Sequence, residues 1–195
     1  MKIATFKVEE WMNLNETKAK YNIAETCVDS VSLDELFSLA GRDRREFFDT
    51  LSRRRMTYGA IFGAEELKAA ICGLYRSAGT DDVVTTHGAA GANHLALYSL
   101  VEPGDAVVSV MPTYQQLYSI PEAIGADVRL MHLRQENGYL PDLDSIPEEV
   151  LKKTKYMIVS YPLNPVCVCA PDEFYEKLIA FAKKNEIVIL HDNAY

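Results

Sequence analysis

From Asp82 onward, the sequence alternates short apolar segments, typical of buried strands, with longer segments that have helical periodicity. The predicted strands cover residues 83–86, 106–110, 127–133, 155–160 and 187–190. The predicted helices between them cover residues 88–101, 114–124 and 171–185. Strands that alternate with helices pair in parallel through right-handed crossovers, so this region predicts an α/β domain.

Charge and cysteine content exclude several classes of protein. The 195 residues include 20 Lys and Arg against 28 Asp and Glu, a formal net charge of −8, which argues against a nucleic-acid-binding surface. The sequence has no apolar run of membrane-spanning length and no signal-peptide core near its start, so we expect a cytoplasmic protein without a membrane partner. The four cysteines have neither disulfide-framework nor zinc-site spacing, and we predict no metal site.

A run of small residues, Thr85 to Ala92, marks the turn from the first predicted strand into a helix. Backbone N–H groups and the helix dipole make such a turn an anion site, and small side chains let a phosphate approach. The run matches neither of the glycine-rich motifs typical of dinucleotide or nucleoside triphosphate loops. A tight turn whose small residues serve packing explains the same pattern.

Three further side chains follow predicted strands directly, where ligands bind in parallel sheets. Tyr114 could lie flat on a planar ligand or close the end of the core, and Asn164 could point its amide into a cleft or mark a loop. Asp192 could meet a cation at a buried strand end or cap the next helix. Together with the anion turn, they describe a planar ligand with a phosphate and one cationic edge, such as pyridoxal 5′-phosphate (PLP).

Residues 58–195 resemble the N-terminal portion of a fold-type-I PLP-dependent enzyme, specifically a class I and II aminotransferase. The family's motifs match His87-Gly-Ala-Ala-Gly91, Glu102-Pro-Gly-Asp105, Asn164-Pro165 and Asp192-x-x-Tyr195. The resemblance implies a three-layer αβα large domain, incomplete in this chain, with an N-terminal arm and without the C-terminal small domain. We therefore expect residues 1–45 to form the arm or part of the small domain, and residues 46–195 to form a partial PLP-binding large domain.

The resemblance also implies roles for eight cofactor-binding residues. Gly88, Ala89 and Ala90 would hold the phosphate, Tyr114 would stack on the ring, Asn164 and Tyr195 would hydrogen-bond its phenolic oxygen, Asp192 would pair with the pyridinium nitrogen, and Tyr58 would reach the neighbouring subunit's phosphate. An ionised Asp at the ring nitrogen keeps the ring protonated and able to accept electrons. The role of Tyr58 implies a homodimer.

The sequence departs from the family in two places. The family usually continues its Asn-Pro motif with Thr-Gly, whereas this chain has Val166 and Cys167, which leaves the shape of that turn open. The Schiff-base lysine of the family follows the Asp-x-x-Tyr motif and is not in this chain, so no catalytic residue is assigned. The lysines that are present are interpreted as surface residues.

We therefore expect a PLP-dependent aminotransferase acting on an amino acid and a 2-oxo acid, present as a truncated chain that is inactive alone. A PLP-dependent lyase, decarboxylase or cyclase of the same fold is an alternative. A phosphometabolite-binding α/β module without covalent chemistry is another.

Overall fold

The computed structural model describes residues 2–24 and 27–195. The chain divides into two compact units, one made of the first ten residues with Thr85–Tyr195 and the other of Trp11–Val84. The domain boundary expected near residue 45 stays a prediction.

The helices in chain order are α1 (Lys7–Asn15), α2 (Leu33–Ala40), α3 (Arg44–Ser52), α4 (Glu65–Cys72), α5 (Gly88–Leu100), α6 (Gln116–Ile124), α7 (Glu148–Leu151) and α8 (Asp172–Lys184). The strands are β1 (Ala106–Met111), β2 (Asp127–His132), β3 (Thr154–Ser160) and β4 (Val188–Asp192).

The unit formed by residues 11–84 is helical, and the starts of α2 and α3 follow from local capping. Ser32 and Glu35 form a reciprocal capping box at the start of α2, and the Asp43 side chain accepts from the Glu46 N–H at the start of α3. The Phe37 ring packs against the ring of Phe47 at 5.2 Å between centroids, which joins α2 to α3.

The larger unit is built on a parallel sheet with the strand order β2-β1-β3-β4. Side chains alternate between the two faces of the sheet, and both faces are buried. One cluster joins Val108, Met157 and Val159 to α8, and the other joins Val107 and Ile158 to α5 and α6. The predicted three-layer α/β fold is therefore confirmed.

The structure corrects one strand that the sequence predicts. Residues 83–86 form no strand and pair with no described strand, although Val83 is extended, so the strand predicted there is wrong. An extended segment becomes a strand only through hydrogen bonds to a neighbour. Helix α1 lies in the N-terminal stretch, where the sequence analysis predicts no helix or strand.

No helix within the described ranges is both long and apolar enough to cross a membrane.

Candidate active site

Three strands of the sheet end at the same edge, and several of the predicted cofactor residues lie at these ends or shortly after them. Ser160 at the end of β3 is in register with Asp192 at the end of β4, and the Tyr161 N–H donates to the Asp192 carbonyl at 3.1 Å. Tyr114 comes three residues after the end of β1, which pairs with β3. The parallel sheet therefore brings segments that are distant in sequence to one edge.

The Asp192 carboxylate is buried, with 8% of the residue exposed. Its Oδ2 atom accepts a hydrogen bond from the Asn93 side-chain amide at 3.0 Å. Among the ion pairs of the described residues, none involves Asp192. A buried carboxylate is costly unless it is paired, so a neutral amide leaves room for a cationic partner at this position.

Asn164 and Tyr195 meet beside the ends of β3 and β4. The Asn164 Nδ2 atom lies 3.2 Å from the Tyr195 hydroxyl oxygen and donates to it. The two side chains come from loops 31 residues apart in the sequence. The structure brings the two side chains together, and their shared role at one oxygen atom of a ligand stays a prediction.

Tyr114 lies within electrostatic reach of the same groups. Burial raises the pKa of the Tyr114 hydroxyl above its usual value, and the nearby charge of Glu9 and the hydrogen bond to it add to this. Asp192 and Tyr195 contribute in the same direction. The hydroxyl therefore stays protonated, and it donates to the Glu9 Oε1 atom at 3.2 Å.

The first turn of α5 offers backbone donors to an anion. Gly88 has a φ of +71°, a value that favours glycine, and its neighbours Ala89 and Ala90 are exposed. The residue before the helix, His87, makes no side-chain cap. The Gln116 amide holds the Ala90 carbonyl at 2.9 Å, which ties this turn to the start of α6. The free N–H groups of the turn suit a phosphate.

Tyr58 belongs to the unit of residues 11–84, and its side chain is fully exposed. Its predicted role at the phosphate of a neighbouring subunit stays a prediction.

The turn after Asn164 contains a residue other than glycine with a positive φ. Cys167 stands where the family usually has Gly, and its φ is +60°. The Cys167 N–H donates to the Leu163 carbonyl at 2.6 Å, and the Leu163 N–H donates to the Val168 carbonyl at 2.8 Å. This segment of the chain therefore forms a hydrogen-bonded turn that places a residue with a side chain in the left-handed region.

Two lysines illustrate where the interpretation as surface residues holds and where it fails. The Lys155 ammonium pairs with Asp105 at 3.1 Å, near the amino ends of β1 and β3 and away from the site. Lys68 is only 5% exposed, so its interpretation as a surface residue is wrong. Its ammonium lies 3.1 Å from the exposed Glu65 carboxylate one helical turn earlier, while its long aliphatic stem is buried.

Sequence reasoning missed Asn93 and the residues around Tyr114 that come from the N-terminus. Asn93 lies within α5, 99 residues before the aspartate that it contacts. Phe6 packs its ring on Tyr114 at 4.8 Å between centroids, and Glu9 accepts from its hydroxyl. No local pattern signals pairs at such separations.

The described side chains fit PLP by their chemistry. The buried carboxylate of Asp192 lacks a cation, the first turn of α5 exposes N–H donors, and Tyr114 is a half-buried aromatic side chain near that carboxylate. The Asn164 and Tyr195 pair adds polar hydrogens for a ring oxygen. In the described residues, no group of three or more His, Cys, Asp and Glu side chains could hold a metal ion.

The fold and the donor set are those expected of an α/β protein of the aminotransferase type. Residues 9–195 match the family described as aminotransferase class I and II. The chain belongs to this family, and its cofactor is PLP.

Three known proteins illustrate the similarity. A PLP-dependent aminotransferase from Streptococcus suis 89-1591 is 39% identical with a TM-score of 0.94, over 99% of this chain and 52% of that one. LL-diaminopimelate aminotransferase from Syntrophobacter fumaroxidans is 35% identical over 71% of this chain and 37% of its own length. Capreomycidine synthase from Streptomyces vinaceus is 33% identical over 96% of this chain and 48% of its own length. The chain thus spans about half the length of these relatives or less.

The left-handed Cys167 generates a stability prediction. We expect Cys167→Gly to raise the free energy of unfolding by about 1 kcal/mol, because glycine adopts a φ of +60° without the strain of a side chain. Urea denaturation measures the change. Cys169→Gly is the matched control, since Cys169 is also exposed but is not among the residues with positive φ, and it is expected to lower stability. A lower free energy of unfolding in Cys167→Gly would contradict the prediction that the left-handed backbone at Cys167 is strained.

The hydrogen bond between Asn93 and Asp192 generates a second prediction. We expect Asn93→Ala to lower the free energy of unfolding of the cofactor-free chain by about 1–3 kcal/mol, because a buried carboxylate oxygen loses its donor. A double-mutant cycle with Asp192→Ala, measured by urea denaturation, isolates the pair. In the Asp192→Ala background the same substitution should cost less than about 0.5 kcal/mol, and equal costs in both backgrounds would refute the coupling.

Proposed function

We propose that this chain forms the cofactor-holding part of a PLP-dependent aminotransferase that acts on an amino acid and a 2-oxo acid. The observation that carries the proposal is the buried Asp192 carboxylate, which has a neutral donor and no cation beside it in the described residues. The protonated ring nitrogen of PLP would complete that pair. The family of the chain supports the same reaction class.

Each remaining side chain has a defined task in this proposal. The N–H groups of Ala89 and Ala90, after the left-handed Gly88, would bind the phosphate. Tyr114 would lie against the ring and exclude water from one side of it. Asn164 and Tyr195, already 3.2 Å apart, would donate to the phenolic oxygen and fix the rotation of the ring in its plane.

Asp192 would act as an electrostatic anchor. Its carboxylate would hold a proton on the ring nitrogen, and Asn93 would keep the carboxylate turned towards the ring. When bound, PLP supplies an electron sink that stabilises negative charge at the α-carbon of an amino acid. At this edge of the sheet, the protein would keep the cofactor ring protonated and in position.

A homodimer is part of the same proposal. Tyr58 is fully exposed, and in the family the matching tyrosine reaches the phosphate of the neighbouring subunit. The two-fold partner would then complete the phosphate site.

Removing the charge of Asp192 tests the cofactor site. We expect Asp192→Asn to weaken binding of pyridoxamine 5′-phosphate about tenfold to a hundredfold, because a charge-assisted hydrogen bond is worth about 1.5–3 kcal/mol. Equilibrium dialysis measures the affinity. Asp172→Asn, an exposed change at the start of α8, should leave it unchanged. Unaltered affinity in Asp192→Asn would favour the phosphometabolite-binding module.

The type of reaction needs a separate measurement. We expect the full-length protein that contains this chain, loaded with PLP, to convert the cofactor to pyridoxamine 5′-phosphate when an amino acid is added without a 2-oxo acid. Absorbance of the released cofactor follows the conversion. Product formation from the amino acid without any pyridoxamine 5′-phosphate would instead support a lyase, decarboxylase or cyclase.

A further inference from the structure

The N-terminal segment of residues 5–9 is fastened to the end of β1 by one buried amide. Gln115 is 9% exposed, and its Nε2 atom donates to the Thr5 carbonyl at 2.8 Å. Its Oε1 atom accepts from the Lys7 N–H at 3.1 Å. One side chain therefore satisfies backbone groups on both sides of Phe6. Because both polar ends of the amide are paired, its burial is compensated, and the segment is held at this position.

This fastening places two side chains on Tyr114. The Phe6 ring packs against the Tyr114 ring at 4.8 Å between centroids. Glu9, in the first turn of α1, accepts from the Tyr114 hydroxyl through its Oε1 atom at 3.2 Å. A negative charge is thus held at the rim of the aromatic side chain that would lie against the cofactor.

The Glu9 carboxylate can still accept further hydrogen bonds from a ligand. It is exposed, its only hydrogen bond among those of the described residues is to a neutral phenol, and it takes part in none of their ion pairs. A favourable charge at a helix N-terminus explains Glu9 and Glu10 equally, since both lie in the first turn of α1. Of these two residues, Glu9 accepts the hydrogen bond from Tyr114. The helix dipole does not explain this contact.

We propose that Glu9 is a specificity-determining residue that binds a positively charged side chain of the substrate, an ammonium or a guanidinium. The inference rests on the proposed function, because the substrate reaches Glu9 only if the cofactor lies against Tyr114. The carboxylate would accept a charge-assisted hydrogen bond from the cation. The hydrogen bond that the Tyr114 hydroxyl donates to Oε1 would orient the carboxylate for this contact. A substrate with a neutral side chain would leave the charge of Glu9 unpaired.

Two stable conjugates test the inference on this chain without turnover. N-(5′-phosphopyridoxyl)-L-arginine and N-(5′-phosphopyridoxyl)-L-citrulline join the cofactor to amino acids of nearly equal shape that differ in side-chain charge. We expect the arginine conjugate to bind about three- to tenfold more tightly, as measured by equilibrium dialysis. The difference should shrink at high salt, because an exposed pair is screened.

Glu9→Gln separates charge from shape. The glutamine retains an oxygen that can accept from Tyr114, so binding of the citrulline conjugate should stay the same while the preference for arginine disappears. Glu10→Gln is the matched control, because it removes a neighbouring charge from the same helical turn and should keep the preference.

Equal binding of the two conjugates by the unmodified chain overturns the inference. So does a preference for arginine that survives Glu9→Gln. In both cases, tight binding of pyridoxamine 5′-phosphate would leave the proposed function standing. Failure to bind pyridoxamine 5′-phosphate and both conjugates would reject the proposed function together with the inference.

Discussion

The parallel pairing of β3 with β4 is the constraint on which the candidate site depends. Ser160 and Asp192 are in register, and the Tyr161 N–H continues the ladder by donating to the Asp192 carbonyl at 3.1 Å. A slip of one residue would turn the Asp192 side chain to the opposite face of the sheet. Packing on both faces of β4 opposes such a slip, because the same shift would move Ile189 and Leu190 out of the clusters on opposite faces of the sheet in which they pack. The hydrophobic pattern of the strands therefore sets the direction of a single carboxylate.

That carboxylate in turn explains the polar character of the site. Asp192 is buried at the end of an apolar strand, where only a donor such as Asn93 and an added cation can offset its desolvation. The site is therefore electrostatically incomplete in the described residues. A ligand that brings a proton-bearing nitrogen stabilises the folded chain by mass action as well as occupying the site.

Much of this architecture could be predicted from the sequence, because it is encoded locally. The alternation of apolar strands with amphipathic helices predicts β1 to β4 and α5, α6 and α8 within a few residues. Residues adjacent to strand ends, such as Asn164 and Asp192, follow from the same pattern. Contacts between distant segments could not be predicted: Asn93 reaches an aspartate 99 residues away, and residues 83–86 lack a described strand to pair with. The left-handed φ of Cys167 could not be predicted either, because a residue other than glycine rarely adopts it.

The N-terminal segment separates the residue proposed to contact the substrate side chain from the residues proposed to hold the cofactor ring. The groups proposed to hold the cofactor ring, Asp192 and Asn164, lie at or just after strand ends of the sheet. Glu9 instead lies on a segment attached through Gln115 and Tyr114. A substitution at Glu9 can change the charge presented to a substrate without moving either strand end. A substitution at Gln115 would act differently, because it would leave backbone groups of Thr5 and Lys7 unpaired and release the whole segment. In the proposed site, substrate choice would therefore vary independently of the groups that hold the ring, provided that the buried amide is retained.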